Sequence, residues 1–401
     1  MNNNIPQGYK DSPLGVIPQE WEVKRLGEVG SVVSGLTYSP EDVTVKDDGI
    51  LVLRSSNIQN RQLVFDDNVY VNVDKFNPVK ANDILICVRN GSRNLIGKNA
   101  LITNQVDGVA FGAFMSVFRS EVSSYLIHLF DTDLFNRNVH KNLGATINSI
   151  NGSELKEFKF PLPPLPEQQR IAEVLGTWDV AIEKQGALVD KLTERKRALM
   201  QQLLTGKKRL PNFSEPWETV RLGEISNVIM GQSPSSTAYN VEQIGLPLIQ
   251  GNADLSNRIT MPRMWTSEVT KKCDVNDLIM SVRAPVGDIA KSTLRACIGR
   301  GVCAIRCNNK SNIEYLYNAL LFIEDKISSM GQGSTFSAIN STDIKNITLS
   351  IPTLIEQTAI AQILTTADRE IEGAKAKLES LRSQKRGLMQ QLLTGKKRMK
   401  I

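Results

Sequence analysis

The chain has 401 residues, 41% hydrophobic and 22% charged, which suits two or three cored domains and excludes a disordered or fibrous protein. No run of 18 apolar residues occurs, and Met1-Asn-Asn-Asn-Ile-Pro-Gln-Gly-Tyr9 has neither a basic start nor an apolar stretch, so neither a membrane span nor an export signal is expected. The formal charge of +6 is local: without the eleven cations of two repeated tails the remainder is net −5, which argues for specific contacts over nonspecific coating of a polyanion.

Five cysteines without a regular framework fit a reducing compartment, and a cytoplasmic location is expected. The repeated tails are Lys196-Arg-Ala-Leu-Met-Gln-Gln-Leu-Leu-Thr-Gly-Lys-Lys-Arg-Leu210 and Lys385-Arg-Gly-Leu-Met-Gln-Gln-Leu-Leu-Thr-Gly-Lys-Lys-Arg-Met399, 189 positions apart. The same offset carries Pro163, Leu165, Glu167, Gln168 and Ile171 onto Pro352, Leu354, Glu356, Gln357 and Ile360. A unit this long is a duplicated domain plus helix and not a solenoid repeat.

In chain order, each copy opens on the same phrase: Pro18-Gln-Glu-Trp-Glu-Val-Lys-Arg-Leu-Gly-Glu28, then Pro216-Trp-Glu-Thr-Val-Arg-Leu-Gly-Glu224. Short apolar, β-branched runs follow, cut by Gly, Asn, Pro and Asp. Ile50–Arg54, Asp83–Arg89 and Asp277–Arg283 read as strands. Helices are expected over Ser124–Asn138 and its counterpart Asn312–Ser329, making each domain a mixture of α and β with strands in the majority. Phe160-Pro-Leu-Pro-Pro-Leu-Pro166 reads as a stiff extended connector, and Pro166 with Glu167 as the start of a long helix.

Along that helix Ile171, Leu175, Trp178, Ile182, Val189, Leu192, Leu199 and Leu203 recur by fours and threes, interrupted at Gln185 and Lys196. The second copy repeats the seam at Ile360, Leu364, Ala367, Ile371, Ala374, Leu378, Leu381, Leu388 and Leu392, with Lys385 the one polar member. A 3.5-residue period sustained this long is a coiled-coil pattern. The expected fold class is therefore α+β: two mixed α/β domains separated by two long helices that pair as an antiparallel coiled coil, a pseudo-two-fold internal repeat. The chain divides into a first variable domain (1–160), a first helical spacer (161–210), a second variable domain (211–348) and a second spacer (349–401).

The ordered set Trp21–Glu28, Pro163–Ile171 and Met200–Arg209, followed by Trp217–Glu224, Pro352–Ile360 and Met389–Arg398, resembles the specificity subunit of type I restriction-modification systems, the HsdS family, over the whole chain. The resemblance implies two target recognition domains, each reading one half of a split, asymmetric site on double-stranded DNA. It also implies that the two helices act as a ruler and dock two methyltransferase (modification) subunits, with restriction subunits joining the assembly. It implies no catalysis and no cofactor in this chain, S-adenosylmethionine, ATP and magnesium belonging to the partners, and no membrane role. The alternatives are a coiled-coil adaptor that binds only protein, and a specificity region acting with a type II-like methyltransferase.

The residues themselves show no catalytic motif. Asn77-Pro-Val-Lys80 lacks the aromatic residue of an adenine methyltransferase tetrad, and Gly206-Lys207-Lys208 lacks the earlier Gly and the following Ser or Thr of a P-loop. His128 and His140 have no partner motif and read as helix-surface residues. Cys273, Cys297, Cys303 and Cys307 do not have structural-zinc spacing and read as buried thiols in strands, so no metal is expected.

Base edges are read by donors and acceptors on loops, with Arg favouring guanine and Asn or Gln favouring adenine. The candidate DNA contacts in the first domain are Ser34, Thr37 and Tyr38; Arg54 and Asn57; Arg89, Asn90, Arg93 and Lys98; and Thr146. Their counterparts are Gln232 and Ser233; Gln250 and Asn252; Arg283 and then Lys291; and Gln332, Ser334 and Thr335. The 144–148 and 331–335 loops suit backbone contacts with phosphate.

Overall fold

The structure, a computed structural model, describes residues 5–143, 148–330 and 338–399. It contains two compact units, Met1–Gln185 with Lys377–Ile401, and Gly186–Ala376. Each unit holds one mixed domain together with the head of one long helix and the tail of the other, the helices being Leu165–Leu203 and Leu354–Leu392.

In the first unit a four-stranded antiparallel sheet runs in the order Asn99–Leu101, Ile84–Cys87, Met115–Arg119, Ser31–Ser34. Its strand Ile84–Cys87 is apolar on both faces, all four residues being buried in a core shared with Leu126 and Phe135 of the helices and with Leu53 and Phe111 of a second sheet. That second sheet orders Ala110–Phe111, Ile50–Leu53, Val69–Val71 and Val43–Thr44, with its first pair parallel. The predicted connector is partly a strand: Lys159–Leu162 pairs antiparallel with Glu22–Arg25, closing the domain's end onto its opening phrase. Pro161, opposite Val23, is tolerated there because the two-stranded ribbon leaves its strand a free outer edge, where a missing N–H costs no bond.

The second unit repeats this plan. One sheet contains Ser226–Met230, Val302–Cys307, Leu278–Ser281 and Ile289–Lys291 in that order and continues through two short strands; the other is built around Leu246–Ile249. Glu218–Arg221 pairs with Thr348–Ile351. Cys273, Cys297 and Cys303 are buried in strands and free, and Cys307 is half-buried at a strand end.

Each predicted single helix is in fact two. Ser123–Leu129 and Asp133–Asn142 are separated at Thr132, whose hydroxyl donates to the Leu129 carbonyl (2.6 Å) and accepts from the Phe135 amide, ending one helix and capping the next. Ile313–Phe322 and Glu324–Met330 break at Ile323, where Glu324 binds Arg258 (2.8 Å). The break matters for packing. It lets Phe130 stack on Phe135 at 4.6 Å and meet Phe118 edge-on at 5.8 Å in the core.

Within the first unit Ile171, Ala172 and Leu175, from the head of one helix, share a core with Met389, Leu392 and Leu393 from the tail of the other. Within the second unit Leu203 and Leu204 share one with Ile360, Ala361 and Leu364. Head against tail is antiparallel pairing in both. Of the remaining seam positions, Ala367, Ile371, Ala374 and Leu378 are buried, while Trp178, Ile182, Leu192, Leu199, Leu381 and Leu388 are half-buried. The lysines that interrupt the seam carry their own counter-ions: Lys385 pairs with Asp179, and Lys196 with Asp368 at 2.6 Å. A buried cation answered by one acid fixes register, as a polar residue at a core coiled-coil position does.

The repeated phrases meet in one structure per unit. Glu167 is fully buried, accepts the Trp21 indole N–H (3.0 Å) and receives the Arg398 guanidinium on both oxygens (2.8 and 2.9 Å). In the second unit Arg209 clasps Glu356 bidentately (2.8 Å for each bond) and lies over the Trp217 ring. Gly395 and Gly206 both have positive φ (72° and 68°) at the turn that brings each arginine back. Four of the tail cations, Lys196, Lys385, Arg209 and Arg398, therefore belong to intramolecular ion pairs.

Candidate nucleic-acid interface

Three equivalent chain segments help to line one cleft in each domain, joined by Asp67 in the first and Arg283 in the second. In the first, Leu36–Tyr38, Arg54–Ser56 and Gly112–Met115 line a cleft of about 500 Å³; in the second, Ser233, Pro234, Gln250, Arg283, Arg300 and Gly301 help to line one of about 620 Å³. The same backbone bonds build both. Leu36 N–H donates to the Phe111 carbonyl (2.7 Å) and Gly112 N–H to Leu53 (3.0 Å); Gln232 N–H donates to Ile298 (2.9 Å) and Gly299 N–H to Ile249 (2.8 Å). A Cβ at Gly35 or Gly231 would come within 2.1 Å of the carbonyl oxygen of Gly112 or Gly299, so only glycine permits this approach.

The third segment is a β-turn in both domains. Met115 N–H donates to the Gly112 carbonyl (2.8 Å), and Val302 N–H to Gly299 (3.2 Å). The turns are held from the far side as well, Val88 N–H donating to Phe114 (3.0 Å) and Val282 N–H to Gly301 (2.9 Å).

Of the sequence candidates, Thr37, Tyr38 and Arg54 line the first cleft, and Ser233, Gln250 and Arg283 line the second. Arg89 is exposed with its guanidinium 5.8 Å from the ring centre of Phe114, which lines the first cleft. Ser34 and Gln232 are exposed at the bases of their loops, and Arg93 and Asn252 lie on 3-10 turns, the latter half-buried. Asn90 donates to the Ser55 hydroxyl (3.1 Å), tying two loops together. Thr146, Gln332, Ser334 and Thr335 lie outside the described residues.

Three expectations need correction. Asn57 is fully buried: its side chain accepts from the Arg54 amide (2.9 Å) and donates to the Val64 carbonyl (3.0 Å), so it shapes the Arg54 loop and presents nothing to a base edge. Lys98 and Lys291 are not counterparts. Lys98 takes the place held by Asp288 in the second domain, because Cys87 N–H bonds to Lys98 as Ser281 N–H bonds to Asp288. Lys98 donates to the Ser55 carbonyl (3.0 Å), whereas Lys291 is paired with Glu314 and sits 4.3 Å from the centre of the Tyr317 ring, which removes its basis as a phosphate anchor. His128 also departs from its expected surface position, being buried, while His140 is exposed.

The linings differ in chemistry. Arg54 is paired with Asp67 (2.8 Å), and its neighbours in the first cleft include Tyr38 and the exposed Phe114. The second cleft is lined by Arg283 and Arg300 with Gln250 and Ser233, and among the described residues no acid lines it. Phe114 and Arg300 were missed by sequence reasoning, since neither sits in a run that resembles a reading loop. The glycine before each, Gly112 and Gly299, was the available signal. Among the described residues no cluster of His, Cys, Asp and Glu could hold a metal, and no helix is long and apolar enough to cross a membrane.

The family model described as "Type I restriction modification DNA specificity domain" matches the chain twice, at residues 18–191 and 214–382. The chain is 31% identical to the putative type I restriction enzyme MjaX specificity subunit of Methanocaldococcus jannaschii, covering 98% of this chain and 97% of that one. It is 25% identical to the StySPI specificity subunit of Salmonella potsdam over 92% of this chain and 88% of that one. A chain solved in work on complex assembly and conformational transition of the type I R-M system superposes with a TM-score of 0.59 at 26% identity, covering 94% of this chain and 99% of that one. The S subunit from M. genitalium shares the fold, with a TM-score of 0.65 at 17% identity over 98% and 97% of the two chains. Two matched domains and a relative aligned almost end to end place this chain in the type I restriction-modification DNA specificity family.

Proposed function

We propose that this chain is the non-catalytic, DNA-reading subunit of a type I restriction-modification assembly, each cleft reading one half of a bipartite, asymmetric site on double-stranded DNA. The observation that carries this reading is the pair of clefts, alike in backbone and different in side chains, in the two matched specificity domains. Two readers of different sequences require that combination. A symmetric site would be served by two clefts of the same chemistry, and a purely structural adaptor would need neither.

The long helices serve in this proposal as the docking elements for two modification subunits and, with them, restriction subunits. S-adenosylmethionine, ATP and magnesium act in those partners, and this chain contributes position and sequence choice. Arg283, Gln250 and Arg54 in the clefts, with Arg89 beside the first, are the direct readers, and Lys98 is the phosphate contact. The test is the pattern of methylated bases across the genome of cells with and without this gene, in the presence of its methyltransferase partner. Loss of one bipartite methylated motif on deletion is the expected result; an unchanged methylation pattern refutes the proposal.

A further inference from the structure

We infer that the two central residues of one β-turn per domain, Ala113-Phe114 in the first and Arg300-Gly301 in the second, are specificity determinants that read different chemical groups. This deepens the proposed function and rests on it. The turns are the same piece of architecture: each starts on a glycine bonded to the strand that leads into the Arg54 or Gln250 loop, and each carries its central residues into the cleft. The turn bond and the bond from the neighbouring strand correspond, although Ala113 N–H donates to the Leu36 carbonyl (2.8 Å) where Arg300 N–H takes the Ser233 hydroxyl. The side chains presented differ far more.

In the first domain Phe114 is 55% exposed, although its carbonyl accepts from both Val88 and Arg89 (3.0 and 3.1 Å), so the aromatic ring is held out on a fixed backbone. The Arg89 guanidinium lies 5.8 Å from the ring centre. An apolar ring beside an arginine suits a step in the major groove where the ring covers the C5-methyl of a thymine and the guanidinium takes the N7 and O6 of a neighbouring guanine. In the second domain the equivalent of Phe114 is Gly301, and a Cβ there would lie 2.2 Å from the Gln250 carbonyl oxygen, so no aromatic residue can be presented. The reading role passes to the preceding residue. Arg300 is exposed, its amide anchored on the Ser233 hydroxyl (3.1 Å), and it lines the same cleft as Arg283. Two arginines, with no acid lining the cleft among the described residues, are the donor set for guanine.

The experiment uses the full chain with its modification partner, once the methylated motif is known, and measures methylation of duplexes in which each position of each half-site is varied. Phe114→Ala is expected to relax one thymine position in one half-site only, and Arg300→Ala one guanine position in the other half-site only, by about fivefold to 100-fold. Replacing that thymidine with deoxyuridine, which removes only the methyl group, should weaken the native complex about fourfold and leave Phe114→Ala unaffected. Ala113→Arg, at the exposed position matching Arg300, should add a guanine preference to the first half-site. The assignment is overturned if either alanine variant keeps the native motif, if both half-sites change together, or if deoxyuridine acts equally on native and variant. The deoxyuridine probe on the native chain decides the matter even where a variant fails to fold: no thymine position sensitive to methyl loss also overturns it. A native chain that directs no bipartite methylation defeats the proposed function itself, which is a distinguishable result.

Discussion

The two Trp-Glu-Arg clasps are built from the same repeated phrases, yet their indoles do different things. Trp21 is fully buried and donates to Glu167, whereas the Trp217 N–H is buried without a hydrogen-bond partner among the described residues, and Arg209 covers the ring instead. Glu167 also accepts from the Met399 amide (3.2 Å), and Arg398 reaches a second acid, Glu20 (2.6 Å). Duplication kept the charged pair and let the surroundings diverge. What the fold requires is the arginine–glutamate bond; the indole hydrogen bond is an addition found in the first unit.

The largest expected effect breaks the stronger clasp. Glu167→Ala leaves the buried Trp21 N–H without an acceptor and Arg398 with Glu20 alone, and should cost about 3 kcal/mol, read as lost hydrogen-exchange protection confined to the first unit. Glu356→Ala should lower protection in the second unit by less. Equal losses would show that the extra donors to Glu167 contribute nothing.

Acid should separate the units next. Burial, then Lys385 and Arg61, push His128 down from its ordinary 6.5 to about 3, outweighing the Asp179 carboxylate 3.5 Å away. The imidazole is neutral in the folded chain and would take up a proton on unfolding. Stability from this source is complete above about pH 6.5 and is lost as pH falls towards about 3. Both histidines of the chain lie in the first unit, so its amides should lose protection first on acidification, and His128→Gln should flatten that dependence. A second unit equally sensitive over the same range would point to carboxylates as the cause.

Smaller effects sharpen the contrast between the indoles. Trp21→Phe removes a hydrogen bond to a charged acceptor and should cost about 2 kcal/mol, whereas Trp217→Phe removes an unpaired N–H and should stay within about 0.5 kcal/mol of the native chain by denaturant unfolding. The smallest effect concerns the lysines: Lys98→Ala should take about one unit from the logarithmic salt dependence of DNA binding, and Lys291→Ala, already neutralised by Glu314, almost none. Matching slopes would restore them as equivalent anchors.

The duplication, the strands at Ile84–Cys87 and Leu278–Ser281, and the start of each long helix near Glu167 and Glu356 were legible because they are written in local spacing and composition. Spacing does not say which loops meet. Asn57 resembles a reader in sequence, and only the fold shows its amide turned inward to hold Arg54. Lys98 and Lys291 looked paired because each follows an Arg-containing loop, but strand register sets Lys98 against Asp288. The clasp was invisible for the same reason: Trp21, Glu167 and Arg398 are brought together across 231 positions between the last two alone. Phe114 and Arg300 sit in turns whose glycines mark a tight bend without revealing what the bend presents.

The clasps also set an order of assembly. The second unit, Gly186–Ala376, is one continuous stretch of chain, and its clasp partners Arg209 and Glu356 both emerge before residue 376 is made. The first unit emerges first but needs Met389, Leu392, Leu393 and Arg398, which are made only after the whole of the second unit. Of the two domains the one made first is thus completed second, with the apolar face of Ile171 and Leu175 uncovered while the other closes. A chain stopped between Ala376 and Met389 would leave its first unit unfinished and its second whole.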